Sequence, residues 1–209
     1  MAEPIRPIDV TSKAQLDLHV DGSWQLQEFS DFIAAIGRTY HLLFVVHEHL
    51  HGYSTHDSRF EGLTIGRPPK PSTRVTSRDL WRQIDSVLLM KDDARALLLP
   101  DEQIFLIGAK FSSPGFLKFF GIGQLIHKLR DLCHVAAEYE RRKRELDIER
   151  SEIEIAQQKV RLIKDALELP YVLNEDEKRR VVQAVFAAMR PLERAAAARQ
   201  LTDATVRAS

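Results

Sequence analysis

Apolar residues recur at every seventh position through the second half of the chain, at Leu125, Leu132, Tyr139, Leu146, Ile153, Val160 and Leu167. No Gly or Pro interrupts Gln124 to Leu169, and Pro170 closes the run. A heptad repeat of this kind is a coiled-coil seam, so it predicts one helix roughly 70 Å long at 1.5 Å per residue. The positions four residues on read Leu129, Ala136, Lys143, Arg150, Gln157 and Lys164, so both rungs are apolar only near the start. A second stripe, Ile148, Ile155, Leu162 and Leu169, widens the apolar face further along. Two readings compete: the rod packs back on its own chain, or copies of the chain meet along it. The helix that follows is too short to cover the whole rod, which favours self-association. The seven ladder residues are then the expected oligomerisation positions.

Upstream the pattern changes period. Gln15 to Val20 alternates, with Leu16, Leu18 and Val20 on one face and Asp17 and His19 on the other, as in a half-buried strand. Asp21-Gly22-Ser23 turns it. Leu26, Phe29, Ile33, Ile36, Tyr40, Leu43 and Val46 then follow helical spacing as far as Gly52, with Gly37 a mild weak point. Residues 52–75, with Pro68-Pro69-Lys70-Pro71, read as a long loop holding a short strand at Leu63–Ile65. Thr76 or Ser77 caps a helix carrying Leu80, Trp81, Ile84, Val87 and Leu88. Ile104 to Phe111 is apolar on both faces, as expected of a central, fully covered strand. Ser113-Pro114 reads as cap and first turn of a short helix through Phe120, which Gly121 and Gly123 hinge to the rod. Asn174 caps a last amphipathic helix with Val181, Val182, Val185, Phe186 and Met189, and the Ala-rich tail after Pro191 reads as frayed or disordered.

These elements predict an α+β protein: a small α/β sandwich head followed by a long coiled-coil helix and a short closing helix. The expected divisions are a flexible arm over 1–13, the head over 14–121, the long helix over 122–170, and the closing helix and tail over 171–209. Strand–helix–strand–helix order suits a small sheet with helices on one face.

Composition narrows the function. Across 209 residues, 30 Lys and Arg balance 30 Asp and Glu. That argues against a generic nucleic-acid binder, which needs a basic surplus. Cys133 is the single cysteine, and the start (Met1, Ala2, Glu3, Pro4) carries no basic-then-apolar leader, so a reducing cytoplasm is the expected setting. Ile104 to Ile126 is long enough to cross a bilayer. Lys110, Lys118 and the Ser112-Ser113-Pro114-Gly115 break interrupt it, however, and each central lysine costs about 3 kcal/mol. A membrane-acting effector built on 104–126 is therefore the least favoured reading. The run from Glu140 to Arg144 fits a solvated helix face, since Glu138–Arg142, Glu140–Arg144 and Arg141–Glu145 fall at i,i+4.

The strongest lead toward catalysis is His47-Glu48-His49-Leu50-His51, which satisfies H-E-x-x-H. On a helix His47 and His51 would share a face and could hold zinc, with Glu48 as general base, in a zinc-dependent hydrolase or peptidase. His56 or Glu61 could supply a third ligand. The spacing to His56 is not the extended metzincin pattern, and its glycine is missing. The motif also falls at a helix end just before Gly52, where the helix dipole by itself favours cationic side chains. No G-x-G-x-x-G, G-x-x-x-x-G-K-[ST] or G-x-S-x-G is present. Cys133 falls within the seam region and reads as a small buried residue. Ser112 and Ser113 read as caps before they read as an anion site.

Gln103 to Gly121 reads as a strand ending in Ser113-Pro114-Gly115, then a short aromatic helix, a glycine and a charged helix. That order resembles the amino-terminal domain of the death-receptor adaptor TRADD and its proposed bacterial counterparts. The resemblance covers 14–126, interrupted by 52–75 and the Trp81 helix. It implies an α/β sandwich that works as a non-enzymatic interaction module in bacterial conflict or antiphage signalling. The expectation is thus an oligomerising adaptor that binds itself and, through its head, a protein partner. It has no cofactor, zinc being the alternative.

Overall fold

The alternation around Leu16 and Leu18 forms strand β1, Lys13–Val20, which lies in the interior of a four-stranded antiparallel sheet. The computed structural model describes residues 11–22, 24–51, 77–88, 102–110, 114–145, 157, 160, 161, 163, 174–198 and 201–208, with backbone alone at 48–51, 77–80, 83, 86, 140–145 and 208. The sheet order is β2–β3–β1–β4, with β2 Phe105–Lys110, β3 Gly115–Ile122 and β4 Leu201–Ala208. Helix α1 spans Leu26–His51 and α2 spans Ser77–Leu88, both between β1 and β2. Helices α3, Gly123–Glu145, and α4, Glu175–Ala197, lie between β3 and β4. With β3 between β1 and β2, this is the connectivity of a split β-α-β unit. The protein is α+β.

Each element has a local cause. Gly22 adopts φ 77° after β1, a conformation that favours glycine. Helix α1 carries an apolar face wide enough to bury Phe32, Ala35, Ile36, Tyr40, Leu43 and Phe44. By length and composition Leu26–His47 could also cross a bilayer, a property that a mostly buried core helix shares. Asn174 caps α4 through a reciprocal pair: the Glu177 amide donates to Asn174 Oδ1 at 2.9 Å and the Asn174 amide donates to Glu177 Oε2 at 3.0 Å.

One apolar core runs from Ala14 to Ala204. Leu16 and Leu18 of β1, Leu117 and Phe119 of β3, and Leu201 and Ala204 of β4 point to the same side, where the helices pack. Each Leu or Phe among them contributes about 1.5–3 kcal/mol on burial. Tyr40 of α1 is buried against the end of β3. Its hydroxyl accepts from the Ile122 amide at 2.9 Å and donates to the Glu102 carbonyl at 3.1 Å. Gly121 makes room for that ring, because a Cβ there would lie 2.9 Å from the Tyr40 oxygen.

Four expectations are corrected. Strand β2 is not central or covered; it is an edge strand. Residues 115–122 form strand β3, not a helix, because Leu117 and Phe119 alternate with Phe116, Lys118 and Phe120 across two faces. Gly121 lies within that strand while Gly123 opens α3, its amide bonded to the Ser12 carbonyl at 2.7 Å, so the two glycines hinge nothing. The tail after Pro191 neither frays nor ends the structure. Helix α4 continues to Ala197, with Leu192, Ala195 and Ala196 buried, and the chain returns as β4 beside β1. Elements from both sides of the boundary expected at 121 therefore share one core.

Candidate interaction surface

The outer face of the sheet is built from the residues that alternate with the core. Gln15, Asp17 and His19 of β1 oppose Phe120, Lys118 and Phe116 of β3 on one side, and Arg207, Thr205 and Asp203 of β4 on the other. Asp17 is only 3% exposed, yet it is not bare. Gln15 Nε2 donates to its Oδ1, and Arg207 Nε lies 3.2 Å from its Oδ2. The Arg207 guanidinium is mostly in solvent, so this pair contributes about 0–1 kcal/mol. Lys118 Nζ lies over the Phe116 ring, 5.0 Å from its centroid. The face is locally neutral and mixed in character.

The edge differs. In β2, Phe105 is 45% exposed, Leu106 45% and Ile107 53%. Among the described residues the only other large apolar side chain so exposed is Leu26, at 86% and alone at the start of α1. Three consecutive exposed apolar residues on an open strand edge form a patch, where an isolated Leu26 does not. Pairing between β2 and β3 slips between Leu106 and Gly108, leaving Ile107 as the extra residue of a bulge. The opposite edge, β4, presents Thr202, Asp203 and Arg207 to solvent. Polar and charged residues of that kind protect an edge against strand addition, and β2 has only Lys110 for the purpose.

The predicted oligomerisation ladder is distributed differently from the expectation. Leu125 and Leu132 are fully buried in the core of their own chain, as are Leu129 and Ala136, so the start of the ladder is not an intermolecular seam. Tyr139 is half-buried near the end of α3. Val160 is helical, half-buried and packed against the same core, next to the fully buried Ile163. Leu146, Ile153 and Leu167 lie outside the described residues. The reason is the partner: α4 packs on α3, and α3 lies against β1, β3 and β4, so the sheet and α4 cover the apolar face.

His47 lies half-buried in α1, whose backbone stays helical through His51. The side chains of Glu48 and His51, and all of His56 and Glu61, are outside the described residues, as are Ser112, Ser113 and the loop expected over 52–75. Among the described residues no group of three or more His, Cys, Asp and Glu side chains is placed to hold a metal. The described residues of 104–126 form β2, β3 and the start of α3, and not a single spanning helix. Cys133 is buried as expected, and burial pushes its thiol up to about 12. Sequence reasoning missed the edge itself. Gly108 and Lys110 were the available signals, since glycine marks bulges and lysine marks edges.

Comparison with protein-family models, with curated proteins and with solved structures finds no match to this chain.

Proposed function

We propose that the chain is a non-enzymatic interaction module that acts by joining proteins through the open edge of its sheet. The observation that carries this reading is the run Phe105, Leu106 and Ile107, about half exposed on β2, whose outer side pairs with no strand among the described residues. An edge strand offers a row of backbone donors and acceptors, and apolar side chains along it add affinity to any strand that docks there. The resemblance of residues 14–126 to bacterial TRADD amino-terminal-like adaptors supports the same reading. It suggests a role in conflict or antiphage signalling, in the cytoplasm.

The test is affinity capture from cells that make the protein, using the native chain beside Ile107→Lys. The charge is placed on an exposed bulge residue, so the fold is expected to survive. The proposal expects at least one protein, this chain included, to be retained by the native form and lost by the variant. Identical captures would contradict it.

A further inference from the structure

We infer that β2 pairs antiparallel with β2 of a second copy about a two-fold axis, giving a continuous eight-stranded sheet with both sets of helices on one side. This rests on the interaction-module reading and names its partner. The strand fits its own reverse. Register with β3 places Phe105, Gly108 and Lys110 on the outer face, opposite Phe120, Lys118 and Phe116. It places Leu106 and Ala109 on the inner face, opposite Phe119 and Leu117.

An axis between Ile107 and Gly108 sets Phe105 against Lys110, Leu106 against Ala109 and Ile107 against Gly108 of the other copy. The two flanking rungs then set outer against outer and inner against inner; a one-residue slip would violate this and is disfavoured. Every rung but the outermost pairs a large side chain with a small one. The outermost pair puts an ammonium beside an aromatic ring at both ends, the contact that Lys118 already makes with Phe116 within one chain. Such an isologous contact closes at two. The remaining edges are β4 strands bearing Asp203 and Arg207, which resist further addition.

Light scattering tests the inference on the full chain. The native protein is expected at the mass of two chains, against 23.9 kDa for one, and Ile107→Lys at the mass of one, with unchanged circular dichroism. Register is tested by Phe105→Cys with Lys110→Cys in the same chain. Mild oxidation is expected to link two copies covalently in the double variant and in neither single variant; Cys133 is buried and does not compete. A native chain that stays at 23.9 kDa at high concentration overturns the inference. So does a dimer that Ile107→Lys leaves intact, or one in which the double variant fails to cross-link. A monomer that captures a different protein through β2 would overturn this pairing and leave the interaction-module reading standing.

Discussion

Tyr40 shows how one side chain ties distant parts of the chain together. Its hydroxyl joins α1 to groups 62 and 82 residues away, the Glu102 carbonyl and the Ile122 amide. Burial first, and the nearby Glu102 charge to a lesser degree, push the phenol far above its ordinary range, while the Ile122 amide pulls the other way. Tyr40→Phe leaves a buried amide unpaired and should cost about 1–3 kcal/mol in urea unfolding. Gly121→Ala should cost about 1–3 kcal/mol because its methyl meets the Tyr40 oxygen. The double variant should cost less than the sum, since one change removes the atom the other strikes; strict additivity would refute the contact. Helical spacing placed Tyr40 on the core face of α1, but no local pattern could identify hydroxyl partners so far along the chain.

Cys133 gives a pH test at the same scale. Its thiol is raised from the ordinary 9.0 to about 12 by burial. The folded state therefore holds its proton more tightly than the unfolded chain does. The linked stability is complete below pH 9 and is lost as pH rises toward 12. Folded protein at pH 8 should react with a thiol reagent much more slowly than unfolded chain does, because the thiol is both buried and held protonated. Rapid labelling without unfolding would contradict the burial. Replacing Cys133 by Ala should make the alkaline loss of stability shallower.

Among the elements, those with one clean period were readable. β1 alternates, and α1, α2 and α4 carry apolar stripes at helical spacing, so each was predicted close to its observed span. Asn174 was readable too, because Asn followed by Glu three residues on is a capping pair. Asn174→Ala should lower stability by about 1 kcal/mol in thermal or urea unfolding. No measurable change would mean that the cap contributes nothing. β2 was found as a strand but placed wrongly, since a run apolar on both faces fits a central strand and an uncovered edge equally well. β3 reads as a helix because Ser113-Pro114 can open one as readily as a turn, and Phe116 to Phe120 satisfies either period over so few residues. β4 was missed altogether: Leu201 to Ala208 mixes Thr, Asp and Arg with small apolar residues, and pairing with β1 stabilises it where intrinsic pattern does not. Pro191 disguised the approach to it. Packing of Leu192, Ala195 and Ala196 holds the helix beyond a residue that elsewhere ends one.

For the whole molecule, the described part of the heptad ladder serves the chain's own core. Periodicity reports that a face is apolar; it does not report whether the same chain or another covers it. Here Leu125 and Leu132 are covered from within, by the sheet and α4, and among the described residues the exposed apolar run lies on β2. The site was therefore the least readable part of the sequence, because it depends on which strand is left at the edge. The rival reading, a zinc hydrolase using His47, Glu48 and His51, is separated from assembly by metal analysis of the purified protein. The interaction-module account expects zinc well below one per chain and no change in fold on chelation. Stoichiometric zinc lost in His47→Ala would favour the hydrolase.

Self-pairing of the chain requires the edge of β2 to be covered in solution, and hydrogen exchange reads that edge directly. The outward-directed amides of Phe105–Lys110 should exchange more slowly as protein concentration rises, and Ile107→Lys should abolish that protection while leaving β1 and β3 unchanged. Fast exchange along β2 at every concentration, the same in the native chain and the variant, would contradict it.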